Sequence, residues 1–156
     1  MGIYSKKYKK LTDIPVGAVI AIPNDPSNES RALLLLKKAQ VITLKPNVET
    51  GATIHDIESN PKKLQFKELD AAQLPRALAD VDLAVINTNY AMLAGLMPST
   101  DALALENSNS PYANVIVVRD TDTNLAKIID LVKALNSKPV IDKANDLFKG
   151  QAIIGW

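Results

Sequence analysis

The stretch Ala18-Val-Ile-Ala-Ile-Pro-Asn-Asp-Pro-Ser-Asn-Glu-Ser-Arg-Ala-Leu-Leu-Leu-Leu36 decides how the whole chain is read. Ala18 to Ile22 is an apolar run suited to a strand. Pro23 to Arg31 carries turn and capping residues, and Leu33 to Lys38 suits a helix. The stretch is therefore a strand–loop–helix junction. Asp25 or Ser27 can cap the helix by accepting from an unpaired backbone N–H, and Pro26 suits the first turn, where no intrahelical donor is lost. Free N–H groups at a helix start, with the dipole behind them, favour an anion. The planar guanidinium of Arg31 matches a carboxylate or a phosphate. Two readings fit these residues: a seat for the acidic group of a small ligand, or an ordinary capped helix with a surface arginine.

Outward from the junction, short apolar runs alternate with helical patterns. Val41 to Leu44 and Thr53 to Ile57 read as short extended pieces. Leu64 to Leu69 alternates apolar and polar residues, the strand period, and Ala71 to Asp80 has Leu74, Ala77 and Leu78 on one helical face. Leu83-Ala-Val-Ile86 is an unbroken apolar run ending in Asn87-Thr-Asn-Tyr90, the pattern of a buried parallel strand. Ala91 to Leu96 suits a short helix. Ala102 to Leu105 is extended, Ser108 to Pro111 reads as a turn, and Asn114 to Arg119 is rich in β-branched residues and reads as a strong strand. Leu125, Ile128, Ile129, Val132 and Leu135 fall at helical spacing, as do Val140, Ala144, Leu147 and Phe148, and Lys149-Gly150 suits a C-cap. This alternation predicts an α/β fold with a mainly parallel sheet flanked by helices. Ligands of such sheets sit beyond the C-terminal strand ends. Those ends carry Asn24 to Arg31 and Asn87 to Tyr90.

Bulk properties narrow the function. The chain has 156 residues, 47% hydrophobic and 22% charged, as in an ordinary globular domain. A net charge of +1 and 4% aromatics predict no nucleic-acid partner, whether by phosphate attraction or by base stacking. The cluster Lys6, Lys7, Lys9 and Lys10 reads as a solvated surface. Without cysteine there is no disulfide or thiolate chemistry. No apolar run approaches the roughly 20 residues of a membrane helix.

An enzyme is not expected and no catalytic residue is assigned. His55 is the lone histidine, beside Asp56 and with no serine-nucleophile pattern, and reads as a surface or packing residue. No Gly-rich phosphate loop or spaced metal-ligand cluster occurs, so neither cofactor nor metal is expected. Asp80 and Asp82 flank a strand start and read as solvent-facing. Binding is favoured. Arg31 can pair with a carboxylate, and Asn87 and Asn114 each offer an amide oxygen and an NH₂ group. Together they suit an amino acid, which presents both signs of charge.

Four ordered blocks carry a family resemblance: Ile22-Pro-Asn-Asp-Pro-Ser-Asn-Glu-Ser-Arg31, Glu68-Leu-Asp-Ala-Ala-Gln-Leu-Pro-Arg76, Ala84-Val-Ile-Asn-Thr-Asn-Tyr-Ala91 and Ser110-Pro-Tyr-Ala-Asn-Val-Ile-Val-Val118. The chain resembles, essentially from Met1 to Trp156, the NlpA/MetQ family, the substrate-binding lipoproteins of methionine ABC importers. The resemblance implies a type II periplasmic-binding-protein fold with the ligand between two lobes. It implies that Arg31 clamps the ligand carboxylate, that Asn87 and Asn114 hold the amino and carboxyl groups, and that Asn28 is a neighbouring pocket residue. The ligand would be L-methionine, its D-isomer, a methionine dipeptide or another small amino acid, with an ABC permease as partner. Where the family usually has glycine before the arginine, this chain has Ser30, which predicts a slightly altered helix start.

The family carries a signal peptide, a lipidated cysteine and a long segment ahead of residues like Met1-Gly-Ile-Tyr. The resemblance therefore implies one nearly complete lobe, residues 1–119 with the crossover strands, plus C-terminal helices of the other lobe, residues 120–156. Family members are extracytoplasmic and lipid-anchored; the sequence as written has neither signal peptide nor lipidated cysteine and is expected to remain cytoplasmic. The apolar faces of the last two helices need burial. A truncated fragment that binds no ligand and forms a homo-oligomer through them is the alternative expectation.

Overall fold

The computed structural model of the chain describes residues 1–107, 112, 114–152 and 154. The chain divides into two compact units, Met1–Glu106 and Asn107–Trp156. The turn Ser108 to Pro111 expected from the sequence lies outside the described residues.

In the first unit, a five-stranded sheet has the order β5-β2-β6-β1-β7. Its strands are β1 (Gly2–Tyr4), β2 (Val19–Pro23), β5 (Gln65–Leu69), β6 (Leu83–Ile86) and β7 (Ala102–Leu105). β2 runs parallel to both β5 and β6, while β1 is antiparallel to β6 and β7. A separate two-stranded ladder joins β3 (Thr43–Leu44) and β4 (Ile57–Ser59). The expected α/β architecture, a sheet flanked by helices, is present; its β5-β2-β6 half is parallel, as expected, and its β6-β1-β7 half is antiparallel.

Helices cover both faces of the sheet because its central strands are apolar on both sides. The strand period of two sends successive residues to opposite faces. Ile3, Ile20, Ile22, Leu83 and Val85 pack with Leu33 and Leu36 of α1 (Pro26–Lys38). Tyr4, Ala21, Ala84 and Ile86 pack on the other side with Leu74 of α2 (Leu74–Ala77), with Leu78, and with Ala91 of α3 (Thr88–Leu93). All four residues of β6 are buried, as its unbroken apolar run predicts. A further short helix, α4 (Pro98–Asp101), leads into β7.

Two polar side chains of α1 are buried and serve the fold. Glu29 Oε1 accepts from the Ile54 N–H at 3.0 Å, and Ser30 Oγ accepts from the Ala52 N–H at 3.0 Å. Burial pushes the Glu29 carboxyl above its ordinary value. These bonds pin the loop after β3 onto the helix, so Ser30 has a structural task that its departure from the family glycine did not reveal. At the other edge, Asp82 is not merely solvent-facing. Its Oδ2 accepts from the Val19 N–H at 2.8 Å and its Oδ1 accepts from Lys7 Nζ at 2.8 Å. The Lys7 ammonium, with the Val19 N–H second, holds the Asp82 carboxyl below its ordinary value of 3.8.

The second unit contains α5 (Ala126–Leu135) and α6 (Lys138–Phe148). α6 ends with Lys149 in the left-handed region and Gly150 also at positive φ, as the Lys-Gly pair predicts. The expected strand Asn114 to Arg119 is absent: these residues form no regular element, and Val115 and Val117 are exposed. β-branched residues favour a strand only when a ladder partner supplies its hydrogen bonds, and no described strand pairs with them.

Candidate functional site

β2 and β6 are parallel neighbours, so their C-terminal ends lie side by side and deliver Asn24 and Asn87 to one edge of the sheet. Asn24 is anchored there by its N–H to the Leu69 carbonyl at 2.9 Å. Asp25 then caps α1, its Oδ1 accepting from the Asn28 N–H at 3.0 Å, with Pro26 in the first turn. Of the two caps the sequence offered, Asp25 is the one used.

The cap continues into a chain of side chains. Asn28 Nδ2 donates to both Asp25 oxygens, at 3.1 and 3.0 Å, and its Oδ1 accepts from Asn87 Nδ2 at 2.7 Å. This joins the start of α1 to the end of β6. Asn87 Oδ1 is left buried with no hydrogen-bond partner among the described residues. A buried carbonyl oxygen without a donor is costly and suits an incoming N–H or ammonium.

Arg31 lies one turn further along α1 from Asn28. Its Nε donates to both oxygens of Glu106, at 3.0 and 2.8 Å, and its Nη2 donates to Oε2. Both side chains are mostly shielded, at 23% and 13% exposure. Glu106 follows β7 directly, and its N–H donates to the Met1 carbonyl at 3.0 Å, extending the β1–β7 pairing by one step. Its Oε2 also accepts from the Met1 nitrogen at 3.1 Å, and that nitrogen donates to Thr88 Oγ1 at 3.4 Å. The guanidinium thus already holds a carboxylate, and one helical turn back Asn28 holds an amide whose oxygen has no donor among the described residues. Those are the two polar requirements of an α-amino acid.

Of the residues singled out in the sequence, Arg31, Asn28 and Asn87 belong to this edge of the first unit. Asn114 belongs to the second unit, in an exposed segment without regular structure. His55 is exposed in a 3₁₀ turn, Ile54–Asp56. No cluster of metal-ligating side chains occurs among the described residues, and no described helix is long and apolar enough to cross a membrane. Sequence reasoning missed Glu106. It is a single acid after a short alternating run, and only the strand order brings it to Arg31.

A cavity of about 380 Å³ lies elsewhere, lined by Tyr4, Ser5, Tyr8, Leu78 and Asp101 among others. Ser5 Oγ donates to the Asp82 carbonyl at 2.7 Å, which places this end of β1 at the start of β6, away from Asn87. It is distinct from the Arg31 site. The neighbouring Tyr4 hydroxyl is buried without a partner among the described residues, and burial, with Asp101 second, pushes its pKa up to about 12.

Comparison with known proteins places the chain in a family. The probable D-methionine-binding lipoprotein MetQ of Vibrio cholerae is 44% identical over 98% of this chain and 57% of its own length. Among solved structures, an ABC transporter periplasmic substrate-binding protein from Coxiella burnetii matches with a TM-score of 0.87 and 59% identity, covering 96% of this chain and 63% of that one. A nutrient-binding protein from Burkholderia cenocepacia, bound to methionine, matches with a TM-score of 0.86 and 57% identity, over the same shares. The chain therefore spans less than two thirds of the length of these relatives. The NlpA lipoprotein family model matches residues 1–156, and the chain belongs to the NlpA lipoprotein family.

Proposed function

We propose that this chain is the part of an ABC-importer substrate-binding protein that recognises the polar end of methionine or a related amino acid. The observation that carries the reading is the seating of Arg31 on a carboxylate beside the unpartnered oxygen of Asn87. In this reading Arg31 takes the ligand carboxylate, Asn87 accepts from its ammonium, and Asn28 holds Asn87 in place. The names of the Vibrio and Burkholderia proteins favour methionine as the ligand, and that of the Coxiella protein favours an ABC transporter as the partner. The site binds; it carries out no catalysis. Calorimetric titration with L- and D-methionine tests this. Heat released with the native chain and lost in Arg31→Ala is the expected result; heat unchanged in Arg31→Ala overturns the reading.

A second reading rests on the second unit, where Leu125, Ile129, Val132 and Leu135 of α5 and its approach, and Leu147 and Phe148 of α6, are 39–61% exposed. Apolar faces of this kind favour association at roughly 25 cal/mol per Å² buried. Sedimentation velocity separates the readings. A concentration-dependent dimer that takes up no methionine supports self-association as the role of these faces.

A further inference from the structure

Glu106 occupies one whole edge of the Arg31 guanidinium. Both of its oxygens receive Nε–H, and Oε2 also receives Nη2. A second carboxylate arriving at Arg31 would thus find the cation already paired with an anion. Arg31 and the Met1 ammonium bring two positive charges to this edge, and Glu106 and Asp25, the latter joined to it through Asn28, bring two negative ones. A further bare carboxylate therefore leaves the edge net negative, at Arg31 and Glu106 side chains only 23% and 13% exposed, where like-charge repulsion is weakly screened. A zwitterion differs. It brings its own cation, for which Asn87 Oδ1 is a buried acceptor with no donor. Glu106 Oε2 already receives three N–H donors, Nε and Nη2 of Arg31 and the Met1 nitrogen, so the ammonium of a zwitterion is left to Asn87.

We infer that Glu106 is a specificity-determining residue that sets the charge state of the ligand: by neutralising Arg31 in advance, it admits a carboxylate that carries an ammonium and rejects one that does not. This rests on the amino-acid reading of the site given above. It assigns to Glu106 discrimination between zwitterions and simple anions, a role separate from providing the clamp. Its oxygens reach Arg31 because β7 ends one residue earlier, where the Glu106 N–H pairs with the Met1 carbonyl. The selector is therefore positioned by the sheet and does not depend on a loop.

The test uses the Nε–H signals of the arginines in the intact chain. There are three, Arg31, Arg76 and Arg119, and Arg31→Lys assigns the first by its disappearance. Acetate serves as the bare carboxylate and L-methionine as the zwitterion, both at constant ionic strength. Acetate is expected to leave the Arg31 signal in place in the native chain and to move it in Glu106→Gln, with apparent affinity rising about tenfold. Glu106→Asp, which keeps the charge, is expected to exclude acetate as the native chain does. Equal acetate responses in the native chain and Glu106→Gln overturn the inference, as does no response in either. If Glu106→Gln does not fold, the native chain decides: an Arg31 signal that moves with acetate overturns it, and one that stays supports it. The L-methionine arm is independent. If acetate behaves as expected and L-methionine moves neither Arg31 nor Asn87, charge selection stands and the methionine reading fails.

Discussion

Asn87 donates from Nδ2 to Asn28 Oδ1 at 2.7 Å and leaves its own Oδ1 buried without a partner. Half of the amide therefore maintains the fold and the other half faces the site. Asn87→Ala removes one hydrogen bond and one unsatisfied acceptor together. These effects oppose each other, so stability should change by less than about 1 kcal/mol, while any methionine response should vanish. Urea unfolding and ligand titration on the same sample check both halves.

Ser30 should behave in the opposite way. Its hydroxyl is the acceptor for the Ala52 N–H at 3.0 Å, in a buried place. Ser30→Ala strands that donor and should cost about 1–3 kcal/mol. A lower urea midpoint at unchanged m-value would show it.

Asp82 should contribute to stability in neutral solution and not in acid. Its carboxyl is held below the ordinary value of 3.8 by Lys7 and the Val19 N–H. For a carboxyl depressed in the folded state, the stabilisation is complete above the unfolded value and is lost as pH falls through the folded one. Asp82→Asn keeps an oxygen for Val19 but loses the ion pair. The native chain should be the more stable of the two at pH 7, and the difference should shrink toward zero below pH 3.8. Thermal melts across this range measure it.

Tyr4 gives the matching test in alkali. Burial raises its hydroxyl from 10.0 to about 12. A phenol raised in the folded state leaves stability intact below the unfolded value and drains it as pH rises toward the folded one. Ultraviolet titration should show a tyrosinate step near 12 that Tyr4→Phe removes. Because the hydroxyl is buried without a partner, Tyr4→Phe should cost little stability at pH 7.

The parts of the fold that local physics decides were legible in the sequence. Leu83 to Ile86 is a strand because an unbroken apolar run can be buried on both faces. Pro26 and Asp25 announce the start of α1. Thr53 to Asp56 shows where pattern reading misleads. It reads as extended, yet the Asp56 carboxylate accepts from the Thr53 N–H and hydroxyl at 2.9 and 3.0 Å and closes a 3₁₀ turn. The Thr-x-x-Asp spacing, related to the capping box, was the available signal. Asn114 to Arg119 fails for a different reason, since a strand needs a neighbour and propensity alone supplies none. In the proposed site, Arg31 and Asn87 could be singled out from strand ends and side-chain chemistry. Glu106 could not, because its meeting with Arg31 depends on β1 pairing with β7 at the far side of the sheet.

The central claim is that Arg31 and Asn87 together receive the polar end of an amino acid. Following the Arg31 Nε–H and the Asn87 side-chain amide signals during one titration with L-methionine tests it most directly. The account predicts that both signals move with a single saturating dependence on concentration, and that Arg31→Ala abolishes the movement of Asn87. Asn87 responding equally in Arg31→Ala, or neither signal moving at saturating ligand, would contradict it.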